Sequence, residues 1–180
     1  FTLIILTVIV STIFIHFGNI KMTTILPVAQ RGEAILNLIA APVTETEFSS
    51  NWLKELSNAM HATMLDRNGV GIAAPQVYIS KRVIIVASRA NPRYPDAPEM
   101  DAIVMVNPEI IQKSTQVVLG EEGCLSVPNE RGQVERAEQI TVEYFTLNGT
   151  KIRQEFSGFP ARIVQHEVDH LDGILFVEHI

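Results

Sequence analysis

Near its carboxyl end the chain reads Gln165-His166-Glu167-Val168-Asp169-His170-Leu171-Asp172-Gly173. His166 and His170 stand at i and i+4, so on a helix both imidazoles leave one face about a turn apart and can grip one ion. Glu167 adjoins the first of them, where its carboxylate can take a proton from a water at that ion without being a ligand. A lone histidine is most often packed or at the surface. Two histidines and a glutamate at these offsets point to metal-assisted hydrolysis. The third ligand decides the chemistry. The longer metalloprotease pattern adds a glycine, matched here by Gly173, and then a third histidine, where this chain has Phe176. Glu178 and His179 come too late to suit a rigid ligand.

Cys124, the one cysteine of the chain, lies in Glu121-Glu122-Gly123-Cys124-Leu125-Ser126-Val127-Pro128, which reads as a short loop. A lone cysteine is commonly a small buried hydrophobe, and a nucleophilic Cys–His pair is a further reading. Beside a two-histidine site, a thiolate is a good ligand for a divalent ion, and three protein ligands leave a position open for water. A second segment, Asn68-Gly69-Val70-Gly71-Ile72-Ala73-Ala74-Pro75-Gln76, is glycine-rich without the Gly-Lys-Ser/Thr ending of a phosphate loop. Pro75 argues against a helix after it. Its small residues allow close approach of a substrate backbone, and the Gln76 amide can donate to a developing oxyanion. Taken alone, a turn between helix and strand explains the same residues.

These groups need elements to place them. Ser49 and Ser50 are candidate caps for a helix over 51–66, with Trp52, Leu56, Met60 and Met64 every fourth residue and Leu53 widening the core stripe. Asn68-Gly69 ends it. Strands are expected at 83–87, 103–106 and 140–147, the last turning at Asn148-Gly149 into a returning strand over 151–156. The proline-rich stretch 91–98 reads as a surface loop. Pro160 suits a first helical turn, and Ile163, Val164, Val168 and Leu171 form an apolar face closed by Gly173. Strands clustered between two helices predict an α+β fold with antiparallel sheet.

Composition narrows the partners. At 180 residues, 47% hydrophobic and 19% charged, the chain can bury one core, and disorder is excluded. A net charge of −6 gives no basic footprint for nucleic acid. One cysteine cannot form an intrachain disulfide, which fits a reducing compartment. Residues 1–21 stand apart: the first 20 contain no Asp, Glu, Lys or Arg. They read as a leader outside the fold, a membrane anchor or an extra packed element, with 22–180 as a single catalytic domain.

Three ordered segments, Gly69–Gln76, Glu122–Ser126 and Gln165–Leu171, together with Pro128-Asn129-Glu130-Arg131-Gly132, resemble the peptide deformylase family from about Gln30 to the end. The resemblance implies an α+β fold of antiparallel sheets packed around a C-terminal helix carrying the HExxH-type motif. It implies removal of the N-formyl group from the initiator methionine of nascent polypeptides, with release of formate. It also implies one divalent metal, Fe2+ in the cell and often Ni2+, Co2+ or Zn2+ in preparations. Cys124, His166 and His170 would hold the ion and Glu167 would move the proton. Gln76 and the Leu125 N–H would stabilise the oxyanion. Gly69, Gly71 and Leu125 would flank the peptide, its methionine beside Ile163. The partners expected are N-formyl-methionyl nascent chains, with transient ribosome contact, in the cytoplasm. A membrane or organellar setting follows only if residues 1–21 are a genuine anchor. The competing classes are a short metalloprotease, disfavoured by Phe176, a cysteine hydrolase, and a non-enzymatic module, disfavoured by the presence of both Glu167 and Gln76.

Overall fold

The computed structural model describes residues 24–180. The readings of residues 1–21 lie outside the described residues, among which no helix is long and apolar enough to cross a membrane. Helix α1 runs Asn51–Asp66, and the Ser50 hydroxyl caps it by accepting the Leu53 N–H at 3.1 Å. Its buried stripe is Leu53, Leu56, Met60 and Met64, whereas Trp52 is 40% exposed. A fourfold spacing overshoots the helical turn by about 40° per step, so Trp52 has drifted off the face that Met64 occupies. At the far end Asn68 adopts φ 52, the Gly69 N–H donates to Met64 O at 2.8 Å and the Asn68 N–H to Leu65 O at 3.1 Å. That is a Schellman close with asparagine in the left-handed position.

Strand β1 spans Gly71–Ala73, β2 Val83–Ser88 and β3 Met100–Lys113; β4 spans Val117–Cys124, β5 Val127–Ala137, β6 Gln139–Phe145 and β7 Lys151–Ser157. Five form an antiparallel sheet in the order β1-β2-β3-β6-β7, and β4 pairs antiparallel with β5 in a second sheet. In β2, Val83 and Ile85 pack into the cluster that includes Leu53, Met60 and Met64 of α1. Ile84 and Val86 pack on the opposite side with helix α2, Gly158–Leu171, through Ala161, Val164, Val168 and Leu171. Burial on both faces explains why β2 reads as an unbroken apolar run.

The fold is thus mixed, with antiparallel sheets and a C-terminal helix. Besides Trp52, three expectations need correction. The Cys124 segment is the end of β4, not a loop; glycines and glutamates in VVLGEEGC hide the strand alternation. The strand expected at 103–106 is part of the 14-residue β3, which absorbs Asn107-Pro108 through a register shift with Asn107 at φ 50. Pro75 does not break the chain after β1. It sits in the first turn of a 3-10 helix, Ala74–Val77, where its missing N–H is not needed.

Helix α2 carries a second stripe of different character. Arg162, Gln165, His166 and Asp169 stand at i, i+3, i+4 and i+7, and all four reach the β4–β5 sheet. The helix closes at Gly173, φ 76, where the Ile174 N–H donates to Asp169 O at 2.9 Å. A Cβ at 173 would stand 2.8 Å from the Asn37 carbonyl carbon. Gly173→Ala therefore combines a left-handed backbone with a collision, and should cost on the order of 1–3 kcal/mol, read as a lower urea midpoint at unchanged slope.

Candidate metal centre

Helix α2 and the end of strand β4 meet at the site. His166 and His170 leave one face of α2 with ring centroids 5.1 Å apart. Cys124, at the end of β4, brings its Sγ to 3.2 Å from His170 Nε2. One ligand atom from each of Cys124, His166 and His170 lies within 4.8 Å of the others. A thiolate and two imidazoles so placed suit a shared divalent cation, whose bonds to nitrogen and sulfur are about 2.0–2.3 Å.

The sulfur is oriented by two donors, the Ser126 N–H and the Gln76 Nε2, each at 3.4 Å. Burial opposes its ionisation, but the charges and hydrogen bonds of His170 and His166 hold the Cys124 thiol well below its usual range. Conversely, burial works to lower His166, while its bonds to Cys124 and Glu122 raise it well above an ordinary histidine. The His166 Nδ1–H donates to Glu122 Oε2 at 2.9 Å, which fixes the ring with Nε2 free for a cation. Glu122 also accepts from Arg136 Nε at 2.9 Å and Nη2 at 3.0 Å, and from Arg162 Nη1 at 2.8 Å. Burial raises this carboxyl, yet the bonds from His166 and Arg136 outweigh it and keep Glu122 well below the carboxylate range. Sequence reading quoted Glu122 only as part of a motif and missed Arg136 and Arg162. The polar positions of α2 at helical spacing were the available signal.

Glu167 is 4% exposed and its Oε2 is buried without a hydrogen-bond partner. Burial pushes its carboxyl up to about 7, His166 and His170 pulling the other way. Gly71 makes its place: a Cβ there would stand 2.2 Å from Glu167 Oε1. The glycine-rich segment thus accommodates one of the chain's own side chains as well as any ligand. Gly69 likewise leaves room for Leu125, whose Cδ1 would be 3.2 Å from a Cβ at 69. Gln76 is buried, with Oε1 accepting the Ala73 N–H at 2.9 Å and Nε2 also donating to Ser126 Oγ at 3.1 Å. Gly71, Gln76, Leu125 and Ile163 border one cleft with Cys124, His166 and Glu167, so the expected residues are brought together. Gly69 lies outside that lining. It borders a neighbouring hollow beside Val70. Phe176, at the third-histidine position of the longer motif, lies against the His166 ring at 6.0 Å and 28°.

Comparison with known proteins agrees. The family model for polypeptide deformylase matches residues 25–180. Peptide deformylase 2 of Nostoc sp. is 48% identical over 156 residues, covering 87% of this chain and 86% of the relative. Its counterpart in Shewanella oneidensis is 48% identical over 153 residues, 85% of this chain and 83% of that one. Among solved structures, the Met-Ala-Ser-bound class I type b peptide deformylase of Acinetobacter baumannii is 74% identical. It superposes with a TM-score of 0.87, covering 88% of this chain and 100% of that one. A peptide deformylase from Thermotoga maritima, 33% identical, gives 0.77 over 87% and 97%. The chain belongs to the polypeptide deformylase family, enzymes that remove the N-formyl group from newly made polypeptides.

Proposed function

We propose that Cys124, His166 and His170 hold one divalent cation, Fe2+ in the cell with Ni2+, Co2+ or Zn2+ able to replace it, and that Glu167 is the general acid–base. The observation that carries this reading is the convergence of one sulfur and two imidazoles on one point, beside a buried carboxyl. Bound there, the cation would acidify a water to a pKa of roughly 7 and polarise the formyl carbonyl. Glu167 takes the proton of the attacking water and returns it to the amine as the C–N bond breaks, leaving formate and a free methionyl amino terminus. Gln76 exchanges its long contact to sulfur for a stronger bond to the carbonyl oxygen as charge grows there, and the Leu125 N–H supplies a second donor. Gly69, Gly71 and Leu125 flank the peptide, whose methionine enters the cleft beside Ile163. The Met-Ala-Ser peptide bound to the Acinetobacter baumannii relative supports an N-formyl-methionyl chain as substrate. Such chains come from ribosomes, so transient contact with them, in the cytoplasm, completes the proposal, with 22–180 as the catalytic domain.

Glu167→Gln should keep the metal while kcat/KM falls by about 10²–10⁴-fold, and Cys124→Ala should lose the metal. Full metal content and full turnover in Cys124→Ala would refute the ligand assignment. Gln76→Leu should raise the barrier by about 2.7–4 kcal/mol, seen in kcat.

In metal-free protein the Glu167 carboxyl should titrate near 7. Below that value it is a neutral acid, above it a base. A nearby dication favours the carboxylate, so Zn2+ loading should move the titration to lower pH. Carbon-13 NMR of labelled glutamate, with Glu167→Gln as the assignment control, reads both values.

A further inference from the structure

Of the polar stripe on α2, three members have evident work. Gln165 brackets Ala137, accepting its N–H at 3.1 Å and donating to its carbonyl at 2.9 Å. His166 is a candidate ligand, and Asp169 accepts from Arg136 Nη1 at 2.6 Å. Arg162, one turn before His166, is neither a proposed ligand nor the proposed base, yet it is among the most heavily bonded side chains described. Its Nη1 donates to Glu122 Oε1 and Val134 O at 2.8 Å, and to Gly120 O at 3.3 Å. Its Nη2 donates to Val118 O at 2.6 Å. Gly120 lets the guanidinium lie there, because a Cβ at 120 would stand 2.7 Å from Nη2 and 2.8 Å from Cζ.

Apolar burial does not fix this part of β4. Val117, Val118 and Leu119 are 53%, 39% and 59% exposed. What pins the strand to α2 here is therefore the guanidinium, bonded to Val118 and Gly120 of β4, to Val134 of β5 and to the Glu122 side chain. Cys124 follows at the end of the same strand.

We infer that Arg162, seated on Gly120, is a positioning residue that holds β4 against α2 and so keeps the Cys124 sulfur within reach of a cation shared with His166 and His170. The inference rests on the metal-ligand reading above. Arginine suits the task because its planar fork serves several acceptors at once, which an ammonium cannot do from one position.

Cobalt(II) is the probe, bound to the full chain and to Arg162→Met, Arg162→Lys, Gly120→Ala and the Arg162→Met/Gly120→Ala double variant. The readouts are the rate of Co2+ release to excess chelator, the thiolate-to-Co2+ charge-transfer band, and the thermal unfolding of metal-free protein. Arg162→Met and Gly120→Ala should release Co2+ about 10–100-fold faster with a weakened thiolate band, the range for losing a group that orients a ligand. Arg162→Lys should recover part of the loss. The double variant should be no worse than Arg162→Met, since the collision at 120 needs the guanidinium. If Arg162→Met does not fold, Gly120→Ala and Arg162→Lys carry the test. Folded variants with unchanged release and unchanged band would overturn the inference. So would a change confined to KM of the loaded enzyme, which would make Arg162 a wall of the cleft it borders. Failure of the ligand reading looks different: the unaltered protein would then show no thiolate band, as in Cys124→Ala.

Discussion

A single buried carboxylate organises the centre of this protein. Glu122, 3% exposed, receives two arginines and an imidazole, and those three partners come from β5 and α2. Removing one partner of a buried ionic group strands the others, at a cost of about 3–5 kcal/mol, so the arrangement is close to all-or-none. One carboxylate thereby decides both how the second sheet sits on the helix and how the His166 ring is turned.

The chemistry inherits that constraint. With His166 fixed from its outer nitrogen, its inner edge and that of His170 face the same sulfur, and the sulfur is drawn to the charged form against its own burial. One residue along the helix, Glu167 has no such partners and burial drives it the other way. The thiol and the carboxyl are thus pushed apart in ionisation, as the roles proposed for them, ligand and proton carrier, require. Environment assigns the roles.

Much of this was legible in the residues. The i, i+4 histidines and the adjacent glutamate need only the helical repeat to be placed on one face. The Asn148-Gly149 turn and the doubly buried β2 follow from local pattern. What escaped was long-range. Cys124 could be nominated by elimination, but its strand is held by pairing with β5 and by side chains of α2, which local propensity does not report. Trp52 was misassigned because a fourfold repeat imitates a stripe over two turns and departs from it over three. Glu122 gave no local sign, and helical spacing alone could mark the face of Arg162 but not its partners, since a buried charge looks like a surface charge until they are known. The same holds for Asn107-Pro108, which reads as a break and is a bulge inside a long strand.

Gly71 offers no functional group, yet the space it leaves empty is where the Glu167 carboxyl rests. Any side chain at 71 must displace that carboxyl, so in a saturation-mutagenesis survey scored by turnover the position would rank with the residues that touch substrate. A site of this kind is made from vacant volume as much as from atoms.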